Sequence, residues 1–240
     1  MTTQIDKLNP KSEIRKLWLK NFPSLKVFGA DKLYKIVGPF IIGIELINLP
    51  RIKEYKPHFV LFPLYGNNLG NDLKNCLKYP KILFQLYKKN GLQYNIPYEG
   101  QLDLHIEAIQ SAKKIEILNL NSDVPIKLIY KIIDEQLQDK IIIIRQAQPD
   151  LLELKYYTAL YIKNKNIQNS VLTDIMNDYK NWNTDYFLKD YGDFTDWYER
   201  LKNTELTDFE NLIKSNKNET KIKKLLSFEI ENEEPSIFKR

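Results

Sequence analysis

Two apolar runs near the N-terminus, residues 35–47 and 58–65, dominate the hydrophobic pattern of the chain. Both are rich in Ile, Val, Phe and Tyr, and both contain Pro or Gly where a long helix would not tolerate it. A polar segment, residues 48–57, separates them. The pattern therefore predicts two paired strands that form a hairpin.

Two helices are predicted on either side of this hairpin. Residues 12–20 place apolar side chains on one helical face and lysines on another. Residues 80–90 show similar spacing, with Pro80 near the first turn and Gly91 just past the end, which is typical of a helix start and stop.

Residues 101–107 change to strict alternation of apolar and polar positions, which predicts a strand with one buried face. A helix that continues through Ile109 and Ala112 is an open alternative. Residues 114–120 are a second candidate strand.

Beyond residue 121 the apolar spacing is helical. Asp123 is the expected cap of the first helix, with Pro125 in its first turn. The predicted helices cover residues 126–137, 151–162, 171–179, 194–201, 206–213 and 222–228. We therefore expect an α+β protein, with a small, mainly antiparallel sheet in residues 1–120 and a helical array in residues 121–240. The two halves are expected to form one cooperative unit.

The charge composition bears on the class of partner. The chain has 36 Lys and Arg against 31 Asp and Glu, a formal net charge of +5, but only five of the cations are Arg. Arg is the residue best suited to bidentate phosphate and base contacts, so a dispersed lysine surplus argues against nucleic acid as the partner.

Cys76 is the only cysteine, which excludes an intramolecular disulfide and a cysteine-based zinc cluster within one chain. The first residues lack a basic start followed by an apolar core, and no window approaches the roughly 20 apolar residues of a membrane span. We therefore expect a soluble, cytoplasmic protein. The aliphatic run 141–144, bounded by Lys140 and Arg145, is expected in a core.

Common catalytic motifs are missing from the sequence. It contains no Gly-x-x-x-x-Gly-Lys-Ser/Thr or Gly-x-Gly-x-x-Gly phosphate loop, no Gly-x-Ser-x-Gly elbow and no His-Glu-x-x-His. We expect no bound cofactor. Cys76 with His58 or His105 could form a nucleophile and base, but we favour a structural cysteine.

Asp103, His105 and Glu107 are the best candidate for a catalytic or metal-binding site, because alternate residues of a strand point the same way. Two carboxylates and an imidazole could bind one metal ion and serve a metal-dependent nuclease or other hydrolase. An amphipathic strand also needs polar residues on its wet face, and we favour that interpretation, with no metal and no catalytic role.

The segment Pro149-Asp150-Leu-Leu-Glu153-Leu-Lys155 resembles the Pro-Asp and Glu-x-Lys signature of metal-dependent nucleases. That family places the two elements on separate strands with a longer gap, and the spacing here departs from it. Pro149 as a helix start, with Asp150 and Glu153 as first-turn charges, explains the segment better.

Aromatic and acidic residues are interleaved in residues 182–200, which is the best candidate for a partner-binding surface. Trp and Tyr are favoured interface anchors, and aspartates can pair with a basic partner. The alternative is that Phe187, Phe194 and Trp197 are core residues, with Thr195 capping a helix. The candidate contact residues are Asp185, Asp190, Tyr191, Asp193, Asp196 and Tyr198.

The leading functional hypothesis is a non-catalytic cytoplasmic protein-binding protein. By analogy of class, it would act as a bacterial immunity or antitoxin protein that binds and neutralises a toxin, with a basic toxin as the candidate partner. The alternatives are the metal-dependent hydrolase named above and a lysine-driven nucleic-acid-binding protein. The sequence does not specify the oligomeric state.

Overall fold

A computed structural model describes residues 10–65, 77, 79–139 and 148–232. Cys76, predicted as a structural cysteine, and the run 141–144, predicted in a core, lie outside the described residues. Within these limits the chain is an α+β protein, as the hydrophobic pattern predicts, with a mainly antiparallel sheet in the N-terminal half and helices in the C-terminal half.

The central sheet is built on the predicted hairpin. Its first six strands are β1 Lys26–Gly29, β2 Lys32–Val37, β3 Phe40–Leu49, β4 Glu54–Pro63, β5 Ile82–Gln85 and β6 Ile96–Pro97. Strands β1 to β5 lie in chain order across the sheet, β6 also pairs with β4, and these pairings are antiparallel. The strand β8, Ser227–Phe228, returns from the C-terminal half and pairs in parallel with β2.

The first apolar run forms two strands rather than the single one predicted. Val37 at the end of β2 pairs with Phe40 at the start of β3 across a tight turn. Gly38 in this turn has a φ of +51°, and a Cβ there would approach within 2.6 Å of the Ile230 side chain, so the turn favours glycine. Strands β3 and β4 also extend into the polar segment, which is therefore a shorter turn than predicted.

The predicted helix over residues 80–90 is wrong. Those residues form β5 and then a hairpin, which the bridge between Tyr87 and Gln93 closes. Apolar side chains at residues 82 and 86 fit both a helix and a strand, and pairing with β4 decides between them. Phe84 stacks on Phe59 of β4 with ring centroids 4.9 Å apart, which stabilises the strand.

Both strands predicted between residues 101 and 120 are also wrong. The first is the helix α2, Leu102–Ala112, which is the alternative left open by the sequence. Its buried positions follow helical spacing over a longer stretch than the alternation of residues 101–107 covers. These positions are His105, Ala108, Ile109 and Ala112. The second is the short helix α3, Glu116–Asn119.

One face of the sheet packs against α2, α3 and the predicted first helix α1, Pro10–Asn21. Lys35 of β2 is fully buried on this face. Its Nζ donates to the carbonyl oxygens of Ile117 (2.7 Å) and Leu120 (2.8 Å) and to Ser24 Oγ (3.2 Å). The lysine thereby fixes the end of α3 to the sheet, and burial lowers its pKa to about 8.

The C-terminal half forms a helical array, as predicted, but the helix Thr184–Tyr191 was not predicted and the predicted helix at the end is wrong. Residues 222–228, predicted as a helix, form a 3₁₀ turn followed by β8. Asp123 is not a helix cap, because its Oδ1 accepts a hydrogen bond from the backbone N–H of Glu229. That contact adjoins the parallel pair of β7, Val124–Pro125, and β9, Ile230–Glu231. The helices are α4 Ile126–Leu137, α5 Gln148–Tyr161, α6 Lys165–Asp178, α7 Thr184–Tyr191, α8 Phe194–Lys202 and α9 Leu206–Lys217.

The two halves meet at the end of β4. The ring of Tyr65 lies 4.3 Å from that of Tyr157 on α5 and 5.5 Å from that of Phe209 on α9. Asn216 of α9 is buried and donates its side-chain amide to the carbonyl oxygen of Leu64. The sheet and the helices therefore share one apolar core.

Candidate protein-binding surface

Asp103, His105 and Glu107 do not share a face. Successive residues of an α-helix are rotated by about 100°, so His105 points away from the side on which Asp103 and Glu107 lie. His105 is buried, Glu107 is half-buried and Asp103 is exposed. Among the described residues, no group of three or more His, Cys, Asp or Glu side chains is placed to hold a metal ion.

His105 instead belongs to a buried hydrogen-bond chain. Its Nδ1 lies 2.8 Å from the hydroxyl of Tyr55, and that hydroxyl accepts from the indole N–H of Trp18 at 3.2 Å. Burial lowers the pKa of His105, although hydrogen bonds to backbone groups of Gly100 and Pro97 oppose the shift. This histidine joins α1 and α2 to β4.

The segment of interleaved aromatic and acidic residues forms α7, α8 and the 3₁₀ turn before them. Phe187 and Trp197 are buried with ring centroids 5.5 Å apart, and Trp182 lies 5.5 Å from Phe187. Phe194 and Tyr179 stack at 3.6 Å. The prediction of these aromatics as a core is therefore confirmed for Phe187 and Trp197, while Phe194 is half-buried.

Side-chain caps define where the two helices begin. Asn183 accepts from the N–H of Tyr186 at 2.9 Å and starts α7. Asp193, rather than the predicted Thr195, starts α8, since its Oδ1 accepts from the N–H groups of Thr195 (2.7 Å) and Asp196 (3.2 Å). Gly192, with a φ of +82°, makes the turn between the helices.

The acids of this segment remain at the surface. Asp185, Asp190 and Asp196 are exposed, and none of them forms an ion pair within the described part of the chain. Leu188 is 61% exposed and Tyr186 is 40% exposed, both on α7. We call Asp185, Tyr186, Leu188, Asp190, Asp193 and Asp196 the acidic surface.

The two tyrosines expected as exposed anchors are half-buried. Tyr198 stacks on Phe194 at 5.7 Å. Tyr191 stacks on Phe187 at 5.0 Å. Its pKa is raised first by burial and then by the nearby carboxylates of Asp150 and Glu153. Both tyrosines therefore support the acidic surface from below, whereas Tyr186 and Leu188 reach solvent.

Two carboxylates of α5 lie beneath the acidic surface. Asp150 lies near Tyr191 and pairs with Lys81 at 2.5 Å. Glu153, three residues later, lies near Trp197, and burial raises its pKa. The spacing of three residues places both carboxylates on one face of the helix. This spacing is visible in the sequence, where it is interpreted only as favourable charge in the first helical turn.

Comparisons with protein-family models, curated proteins and solved structures find no match to this chain. Among residues 10–65, 77, 79–139 and 148–232, no helix has the length and apolar character needed to cross a membrane.

Proposed function

We propose that this is a non-catalytic protein-binding protein whose acidic surface holds a basic region of a protein partner. The supporting observation is a local reversal of charge. Residues 182–200 contain five acidic and two basic residues, whereas the whole chain carries a net charge of +5. Unpaired carboxylates at the surface attract a cationic partner and speed its approach.

Apolar side chains at the same place would supply affinity. Leu188 and Tyr186 are exposed between Asp185 and Asp190 on α7. Interfaces commonly combine such anchors with a charged rim, and a few anchors carry most of the binding energy.

The surface also rests on packed side chains, and a preorganised surface lowers the entropic cost of binding. A ring cluster lies beneath both helices, and Tyr191 and Trp197 lie near carboxylates of α5. A rigid acidic surface with few anchors suits an inhibitor that covers a cationic site. By analogy of class, we propose an immunity or antitoxin role in the cytoplasm, with a basic toxin as the partner.

The test uses a partner that co-purifies with the tagged protein from the cells that naturally make it. Association and dissociation rates are measured by biolayer interferometry at low and high salt. The variant D185N/D190N should slow association about tenfold at low salt and much less at high salt. Leu188→Ala should instead speed dissociation and cost about 2 kcal/mol of binding.

Two matched controls lie on α2. Asp103 is an exposed first-turn acid like Asp185, and Leu102 is 61% exposed, as Leu188 is. Asp103→Asn and Leu102→Ala should leave both rates unchanged. If the α7 variants bind as the wild type does while remaining folded, the acidic surface is not the interface.

A further inference from the structure

We propose that the edge of β5 that is left unpaired among the described residues binds an extended strand of a partner protein by adding it to the sheet. This inference concerns a surface separate from the acidic surface and does not depend on it. It rests on unpaired backbone groups, exposed apolar side chains and an adjoining groove.

The unpaired groups follow from the register of β5. Leu86 donates its backbone N–H to Pro57 of β4 at 3.1 Å, and β5 pairs with β4 without a bulge. In an antiparallel pair the backbone N–H and C=O groups of successive residues point alternately toward and away from the partner strand. The backbone groups of Phe84 therefore point toward β4, while those of Leu83 and Gln85 point away from it. Within the described part of the chain, no further strand pairs with β5 on that side.

Exposed apolar side chains accompany this edge. Leu83 is 48% exposed, and Tyr87 and Leu92 of the following hairpin are exposed as well. Native proteins usually protect an edge strand with charges, bulges or a covering element. The opposite edge follows that rule, since β1 begins with Lys26 and its register is interrupted between Val27 and Gly29.

A groove of about 260 Å³ lies beside Phe84, between β5, α3 and α4. Its apolar lining is completed by Ile115, Ile117, Leu128 and Ile132. Strand addition takes affinity from main-chain hydrogen bonds and specificity from pockets that receive alternate side chains. An apolar side chain of the added strand, on the same face as Phe84, would enter this groove.

Charge further specifies the partner strand. Residues 79–98 contain Lys81, Lys88 and Lys89 and no acidic residue. Lys81 already pairs with Asp150, which leaves the hairpin lysines at one end of the edge. The fitting ligand is an extended segment with alternating apolar side chains and an acidic residue beside Lys88 or Lys89.

The test selects dodecapeptides from a displayed random library on the wild-type protein, with counter-selection on Leu83→Lys. Synthetic versions of the enriched sequences are then measured by fluorescence anisotropy. We expect binding to weaken at least tenfold on Leu83→Lys, and also on N-methylation of alternate peptide nitrogens, which removes main-chain donors. Val27→Lys is the matched control, because Val27 is 48% exposed on the opposite edge, and it should not change affinity.

Three results would overturn the proposal. The selection could yield no peptide that distinguishes wild type from Leu83→Lys, or the selected peptides could tolerate N-methylation, which would exclude strand addition. Sedimentation could also show a wild-type dimer that Leu83→Lys dissociates, in which case the occupant is a second copy of this chain and not a partner protein.

Discussion

The sheet and the helices α7 and α8 use polar side chains in opposite ways. In the sheet half, Lys35 and His105 point inward and find hydrogen-bond partners in the core. In α7 and α8 the rings of Phe187 and Trp197 point inward, while Asp185 and Asp190 face solvent without an ion pair in the described part of the chain. Polar groups of the first kind stabilise the fold, and only those of the second kind are available to a partner.

The carboxylates of α5 sharpen this contrast. Asp150 and Glu153 resemble the surface acids in type, yet they lie beneath the surface, near Tyr191 and Trp197. An acid that lies in the interior against its own chain is not available to a partner, whereas Asp193 caps α8 at the surface and stays exposed. The difference between these two sets of acids therefore separates fold from function, and stability measurements can check it.

The largest effect is expected at Gly43, in the middle of β3. A Cβ at this position would overlap the carbonyl oxygen of Leu33 and the main chain and ring of Tyr34. Gly43→Ala should therefore lower the free energy of unfolding by about 3–5 kcal/mol in urea denaturation. Gly29→Ala is the control, because its Cβ would meet nothing closer than 3.9 Å, and it should change stability by less than about 0.5 kcal/mol.

The same variant tests whether residues 1–120 and 121–240 unfold as one cooperative unit, which stays a prediction. Far-UV circular dichroism, dominated by the helical array, and tryptophan fluorescence should shift to lower urea together. A helical signal that persists after the sheet has unfolded would show that the halves are independent.

Lys35→Met should have the next largest effect. It leaves the carbonyl oxygens of Ile117 and Leu120 without their buried donor, which should cost about 2 kcal/mol. The pKa of Lys35 is lowered to about 8 in the folded protein, so the unfolded state binds more protons above that pH. Wild-type stability should therefore gain a contribution as the pH rises from about 8 toward 10, and this gain should be absent in the variant. Equal stability of variant and wild type at neutral pH would contradict the assigned role.

Glu153→Gln should have a smaller effect, and it should raise the free energy of unfolding where the preceding variants lower it. Burial raises the pKa of Glu153 in the folded protein, so the folded state binds more protons than the unfolded state. This contribution is fully present below the unfolded pKa and is lost as the pH rises through the folded pKa. Glutamine keeps the size of the side chain and carries no charge, so the variant should be more stable than the wild type at neutral pH. Thermal melts across pH, with the exposed Glu135→Gln as control, measure the difference.

The sequence predicts elements well where the apolar period is long. The strands of the central hairpin and the helix α4 are examples, since their apolar positions continue for ten or more residues. Residues 101–107 are too short to distinguish a strand from a helix by alternation, and the choice depends on burial further along, at Ala108, Ile109 and Ala112. Pairing with β4 similarly decides β5, and that partner lies far away in the sequence.

Prediction of the acidic surface from the sequence is limited in the same way. The exposed acids of α7 and α8 follow from the aromatic and acidic pattern, because buried rings leave the acids on the outside. The roles of Asp150, Glu153 and Lys35 do not follow from the sequence. Their partners come from other elements, and only the tertiary structure brings the donors and acceptors together.

The smallest effects on stability are expected within the acidic surface, where Asp193 and Asp190 can be compared. Asp193 caps α8 through two backbone N–H groups, so Asp193→Ala should cost about 1 kcal/mol. Asp190 is exposed and caps nothing, so Asp190→Asn should change the free energy of unfolding by less than about 0.5 kcal/mol.

Binding should rank these two variants differently. Asp190→Asn removes a charge that the fold does not use, so any loss of association rate with a basic partner reports recognition alone. Asp193→Ala removes a charge and also frays the start of α8, so it should affect both stability and binding. Paired chemical denaturation and interferometry on the two variants measure this split. If Asp190→Asn destabilised the protein as much as Asp193→Ala does, the acid would belong to the fold, and the distinction between inward and outward polar groups would fail at this surface.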